Sequence, residues 1–399
     1  MHTNLLLVSP ILVALSRSHP YARRIPIIPT IERIEEQVLA ERLIAYDTST
    51  AEGIKNCAGF VKGWLDSRDV ESEQMGLRGL PVTTAVVGPQ SAPTILLHGH
   101  LDVVPGRPEQ FEPRPEGDRL FGRGAYDMKG ALAALLLAVA DLREQDGVRV
   151  RLGIVPDEES EEEAERGGDL LVARGFVGDF AITGEPTDMH VGVAAKGVLA
   201  MRIKVAGRSA HGATPWLGEN AILRALDVFR GIESLPFATR SSELFDRPSI
   251  NLGRILGGDA LNKVPDTCFI DVDVRYLPEQ DPAEILEEVA TLEDAEVVST
   301  FSRPPATVDP DSVYVRSLCA SAARHHAEGV TSVGRDGASD AVSFLRVGIP
   351  AVEFGPLGAG HHGPEEWVSI SSLASYRRAI VDFVTTLPGM LSSDGAGSA

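Results

Sequence analysis

Apolar and polar positions follow two successive patterns along the chain. An amphipathic repeat near residues 30–46 predicts a first helix. Residues 94–98 (TILLH) form a buried-strand run ending at Gly99, and 148–155 (VRVRLGIV) alternates into another strand. Between them, 128–144 is rich in Ala and Leu and predicts a helix; 179–183 (DFAIT) adds a short strand. Strand, helix, strand in this order implies a parallel sheet with helices on both faces. After about residue 195 the order changes. It predicts strands at 198–205, 249–256, 267–276 and 296–303, with helices at 219–232 and 282–290. That is the β-α-β-β-α-β order of a ferredoxin-like unit. From about 310 the earlier alternation resumes with a helix at 311–327, a strand at 349–354 and a helix at 371–387. The expected architecture is one α/β domain, 30–195 and 306–390, interrupted by a smaller α+β domain, 196–305. The low-complexity tail SSDGAGSA is expected to be mobile.

A length of 399 residues agrees with two domains, and 43% hydrophobic with 24% charged residues is ordinary for a globular protein. The formal charge of -20 argues against nucleic acid, which needs clustered Lys and Arg. It leaves room for a carboxylate substrate in a local cationic pocket. Cys57, Cys268 and Cys319 are far apart and odd in number, so no disulfide framework is expected and a reducing cytoplasm fits. The apolar run at 4–15 is too short to span a bilayer. Its positive charges, Arg17, Arg23 and Arg24, follow it instead of preceding it, so residues 1–29 are expected to be an extension and not a signal peptide. No membrane partner is expected.

Five segments concentrate His, Asp and Glu where strands are expected to end: GHLDVVP (99–105), GRGAYDMKG (122–130), PDEES (156–160), GEPT (184–187) and GHHGPEEW (360–367). Ligands gather at the carboxyl ends of strands in open α/β sheets. His100 and Asp102 lie two apart and face one side of an extended chain, so Asp102 can fix the tautomer of His100. Asp127 reads equally as a helix N-cap or a ligand. Glu158 and Glu159 point opposite ways, so one can bind metal while the other takes a proton from water; they also open an acidic run of solvated character. Glu185 before Pro186 could simply be a turn residue, and His361 and His362 could be loop residues. His98 reads as a packed side chain.

Together, and in this order, the segments are similar to the metal-ligand motifs of the M20 metallopeptidase family, which includes acetylornithine deacetylase, succinyl-diaminopimelate desuccinylase, aminoacylase and glutamate carboxypeptidase. The resemblance runs from about residue 30 to 390 and includes the inserted domain. It implies a zinc-dependent hydrolase of linear amide or peptide bonds holding two Zn2+, with Co2+ or Mn2+ as possible substitutes. His100 and Glu185 would bind one ion, Asp127 would bridge, and Glu159 with His362 would hold the second. His362 is preferred to His361 because Glu366 follows it by four. Glu158 would be the general base and Asp102 would orient His100. His211, in GRSAHGATP, resembles a histidine that polarises the scissile carbonyl, in dimers often from the partner subunit. Asn262 and Arg275 match positions that hold the substrate carboxylate, a task suited to the guanidinium fork. GRDGASDA at 334–341 resembles a substrate-side loop, without an assigned role. The inserted domain would serve as lid and as the surface of a homodimer.

The implied activity is release of the acyl group from an N-acyl amino acid, with a metal-dependent dipeptidase or carboxypeptidase as the alternative. From a different class, a non-catalytic metal- or peptide-binding module would be signalled by loss of the base or a ligand, yet all are present. Gly358, Gly360 and Gly363 spell GxGxxG, but Pro364, Glu365 and Glu366 put negative charge where a pyrophosphate would sit. No GxSxG elbow is present, so a serine hydrolase lacks its nucleophile signature.

Overall fold

The computed structural model describes residues 33–159, 166–327 and 329–397. The extension at 1–29 and most of the acidic run after Glu159 lie outside the described residues.

Val, Ile and Leu runs bury themselves in one large sheet. Its spatial order is Ser72–Leu77, Leu80–Val87, Arg149–Val155, Thr94–His100, Phe180–Thr183, Ala351–Phe354, Val191–Ala195 and Ala306–Thr307, with Ser332–Arg335 also pairing to Val191–Ala195. The central strands from Arg149–Val155 through Ala351–Phe354 run parallel. The first hairpin turns at Arg78 (φ 48°) and Gly79 (φ 80°), the conformation that a two-residue turn requires. Alternate residues of the central strands point to opposite layers. Ile95 and Leu97 pack with the helices Glu35–Ile44, Gly130–Asp141 and Ile370–Gly397. Leu96, Val155 and Ala181 pack with Leu171 and Phe344 from the short helices on the other face. Every residue of Gly130–Asp141 except Asp141 is buried, as expected of a helix apolar all round.

The second sheet is antiparallel, in the order Ser249–Gly257, Thr267–Tyr276, Gly197–Ala206, Glu296–Arg303. Helices Ala221–Glu233 and Pro282–Val289 complete its core. The fold class is thus the expected α/β architecture with a separate α+β unit inserted. One local expectation needs correction. The helix expected over 128–144 is regular only over Gly130–Asp141, because Asp127 (φ -120°, ψ 94°) is extended. Helix Ala51–Asp66 and the strands flanking Arg78 carried no expectation. The last helix runs on to Gly397, where Ser392 and Ser393 hydroxyls bond back to carbonyls and Asp394 pairs with Arg316 at 2.6 Å.

Candidate metal centre

The expected ligands converge because the parallel strands deliver them at one end. His100 closes its strand opposite Val155, which leads directly into Asp157–Glu159. Thr183 ends the neighbouring strand two residues before Glu185, and Ala351–Phe354 leads towards the loop of His361 and His362. His362 itself is left-handed (φ 60°), after Gly360 at φ 78°. A Cβ on Gly360 would meet the Glu365 carbonyl at 2.9 Å, so the turn requires glycine.

Two ligand groups share one residue. His100, Asp127 and Glu185 form one group and Asp127, Glu159 and His362 the other, with ligand atoms in each within 4.8 Å of one another. His100 Nε2 lies 3.1 Å from Asp127 Oδ1 and 3.6 Å from Glu185 Oε1. His362 Nε2 lies 3.5 Å from Asp127 Oδ2 and 3.1 Å from Glu159. Asp127 therefore turns one oxygen to each histidine, and it makes no cap hydrogen bond to the helix that follows. His361 instead sets its ring 5.8 Å from that of Tyr126.

Asp102 differs in detail from its expected role. His100 Nδ1 donates to the backbone carbonyl of Asp102 at 2.9 Å, while the Asp102 carboxylate stands 3.5 Å away. A carbonyl only accepts, so Nδ1 keeps its proton, and Nε2, turned to Asp127 and Glu185, is the nitrogen left to bind a metal ion. The Asp102 carboxylate accepts backbone N–H groups of Glu158 at 3.1 Å and Glu159 at 2.8 Å, fixing the segment that carries both acids.

Further residues support the ligands. In the sequence Glu366 marks only the spacing to His362, yet its buried carboxylate accepts from backbone N–H groups of Gly124, Tyr126 and Asp127 and from Arg123 at 2.8 Å. Arg166 reaches the Glu158 carbonyl, with the Glu158 and Asp340 carboxylates each 3.5 Å from its Nη1. His98 is packed as expected, with Nδ1 2.7 Å from the Thr183 hydroxyl and its ring edge-on to Phe344.

The electrostatics are those of a site built for cations. Burial pushes Glu185 well above the ordinary carboxylate range, and the neighbouring Asp127 charge adds to this. Glu158 is also held well above its usual value by burial and then by Asp340. Burial works against charge on His100, but Asp102, Asp127 and Glu185 override it and raise its pKa well above normal. Hydrogen bonds to Asp127 and Glu159 raise His362 to about 10. Among the described residues Glu185 Oε1 is buried with no hydrogen-bond partner, an acceptor 3.6 Å from His100 Nε2 and left unsatisfied. Mixed imidazole and carboxylate donors around a shared carboxylate suit divalent metal ions. The residues fit a metal pair.

A cleft of about 930 Å³ opens over this centre. Asp127, Glu158, Glu159, Glu185 and His362 line one side, and the open face of the antiparallel sheet lines the other. Arg275 is on that face, its Nε 2.8 Å from Asp273. His211 and Asn262 are not brought to the cleft. They adjoin each other on exposed loops, where Gly212 N donates to the Asn262 carbonyl at 2.7 Å.

A probable succinyl-diaminopimelate desuccinylase of Staphylococcus aureus is 25% identical over 392 residues, covering 86% of this chain and 95% of that protein. The succinyl-diaminopimelate desuccinylase of Novosphingobium aromaticivorans is 28% identical over 308 residues, covering 73% and 80%. Among solved structures, an M20 family metallo-carboxypeptidase from Sulfolobus solfataricus matches with a TM-score of 0.73 at 20% identity, covering 89% of this chain and 99% of that one. Human carnosine dipeptidase 1 matches with a TM-score of 0.70 at 17% identity, covering 89% and 96%. The model of peptidase family M20/M25/M40 matches residues 96–386, and the chain belongs to that family of metal-dependent amide hydrolases.

Proposed function

We propose that the protein is a two-metal amidohydrolase that releases the acyl group from an N-acyl amino acid. The carrying observation is the position of Asp127, one oxygen towards His100 and the other towards His362, with Glu158 in the same cleft. His100 and Glu185 would hold one ion, Glu159 and His362 the second, and Asp127 both. Two Zn2+ suit this donor set, with Co2+ or Mn2+ able to replace them. When bound, such a pair supplies Lewis acidity that acidifies water and polarises the scissile carbonyl. Three ligand carboxylates against two dications leave the centre cationic.

Within the cleft, Glu158 takes the proton of the attacking water and returns it to the leaving amine. Its raised pKa suits both halves of that cycle, and Arg166 with the N–H grip of Asp102 holds its backbone still. Arg275 binds the substrate carboxylate. Residues 30–195 and 306–390 form the catalytic domain, and 196–305 forms a lid that also dimerises. Trp216, Leu217 and Leu261 are exposed on the loops that carry His211 and Asn262, an apolar surface suited to a second copy. Through such a dimer, His211 and Asn262 would reach the partner's cleft. Three free cysteines fit a reducing cytoplasm.

The desuccinylase relatives, matched over most of their length, favour a deacylase over a dipeptidase. The test is hydrolysis by zinc-loaded protein of N-acetyl-ornithine, N-succinyl-diaminopimelate, other N-acyl amino acids and several dipeptides, with and without chelator. Chelator-sensitive cleavage of an N-acyl amino acid is expected. Preference for dipeptides would move the enzyme to the peptidase alternative, and no cleavage would indicate a binding module.

A further inference from the structure

The segment GRDGASDA at 334–341 forms part of the cleft wall through Arg335, Gly337 and Ala338. Its Asp340 stands at the N-terminal end of the short helix Ala341–Leu345, yet the carboxylate makes no cap hydrogen bond. Ser339 Oγ accepts the Ala341 N–H instead, at 3.1 Å. The Asp340 carboxylate is buried, and its Oδ1 lies 3.5 Å from Arg166 Nη1. Arg166 stands in the same way before Gly167–Ala173, and the two short helices pack closely: a Cβ on Gly168 would come 3.0 Å from Ser343 Oγ. The same Nη1 donates to the Glu158 carbonyl and lies 3.5 Å from the Glu158 carboxylate. Asp340, Arg166 and Glu158 thus form one chain of contacts behind the cleft. The other Asp340 oxygen is poorly served. Asp340 Oδ2 lies 4.0 Å from His98 Nε2, too far for a hydrogen bond, and among the described residues neither buried atom has a hydrogen-bond partner. A half-satisfied buried carboxylate costs stability, and such exceptions are expected where a fold serves chemistry.

We propose that Asp340 is a positioning residue for catalysis: it anchors Arg166, and through Arg166 it holds Glu158 in its working place and ties the base to the loop that walls the cleft. The proposal rests on Glu158 as the general base, and not on which amide is cleaved. Asp340 belongs to neither candidate ligand group and does not itself line the cleft, so it acts only through its neighbours. A base displaced by about 1 Å loses up to about 100-fold in rate, which sets the size of the effect.

The experiment is a double-mutant cycle on zinc-loaded protein, with the N-acyl amino acid or dipeptide that wild type cleaves fastest. It compares wild type, Asp340→Ala, Glu158→Gln and the double variant, with zinc content measured for each. Asp340→Ala should lower kcat by about 10- to 100-fold and leave KM and zinc content within about twofold. Asp340→Asn keeps the size and an acceptor oxygen for Arg166, and should recover part of the loss. In the Glu158→Gln background, Asp340→Ala should cost less than about twofold, because the group through which it acts is already gone. An equal loss in both backgrounds, a loss confined to KM, a loss of zinc, or an unchanged kcat would each overturn the proposal while leaving Glu158 as the base. Undiminished kcat in Glu158→Gln, or a wild type that cleaves none of these amides, would overturn the base reading and the proposal with it. Should Asp340→Ala not fold, Asp340→Asn is taken through the same cycle. It should then lose about three- to tenfold in kcat on wild type and nothing on Glu158→Gln, and any other result overturns the proposal.

Discussion

Glu366 accepts the backbone N–H of Asp127 at 3.0 Å, tying the loop of the shared ligand to the segment that carries His362. The same carboxylate also holds Gly124, Tyr126 and Arg123, and it is buried. Glu366→Ala would leave Arg123 charged, buried and without this partner. A loss of about 3–5 kcal/mol in stability is expected, together with weaker metal retention. Thermal melting and metal content after dialysis measure the two effects. Unchanged metal content in a folded variant would show that the ligand loop does not depend on this grip.

Glu158→Gln should retain whatever metal the wild type binds, because Glu158 lies outside both candidate ligand groups. Turnover should fall by about 100- to 10,000-fold, the usual contribution of a positioned general base. Metal analysis beside kcat makes the check, and undiminished kcat at full occupancy would remove Glu158 from its role.

Much of this site was legible in the sequence for a physical reason. His100, Glu159 and Glu185 follow apolar runs closely, and strand ends are where an open α/β sheet concentrates ligands. Asp127 was harder: in sequence it resembles a helix cap, and only its extended backbone separates it from the helix at Gly130. The inserted unit was also readable, since Thr267–Tyr276 and Glu296–Arg303 alternate or border turns cleanly. What stayed hidden depends on distant partners. Glu366 meets Arg123 across 243 positions, and no local pattern encodes that contact. The same holds for Arg166 with Asp340, and for the sharing of labour between the carbonyl and carboxylate of Asp102.

Arg275 has Asp273 at 2.8 Å, so under the proposed role a substrate carboxylate would have to share its guanidinium or displace the aspartate. Arg275→Ala should raise KM by about tenfold or more for substrates with a free carboxylate, with little change for their esters. Asp273→Asn should act in the opposite direction and lower KM for the free acids. Steady-state kinetics on acid and ester pairs tests both variants. An equal effect of Arg275→Ala on esters would show that Arg275 supports the sheet instead of the substrate.

The acid–base balance of the centre gives the metal-free protein a definite pH dependence. Asp127 and Glu159 hold the His362 pKa at about 10, above the ordinary 6.5. That contribution to stability is fully present below about pH 6.5 and is lost as pH rises through 10. Glu185, raised by burial and then by Asp127, acts in the same direction: its protonated form is favoured in the fold, and the gain fades as pH rises through the elevated pKa. Chelator-treated protein should therefore lose stability between about pH 6.5 and 10. Bound cations replace those protons, neutralise the ligand carboxylates and take the histidines in their neutral form. The rise in Tm on adding zinc should accordingly be larger at pH 9 than at pH 6. A rise that is equal at both values, or larger at pH 6, would show that the clustered carboxylates are not what the metal ions relieve.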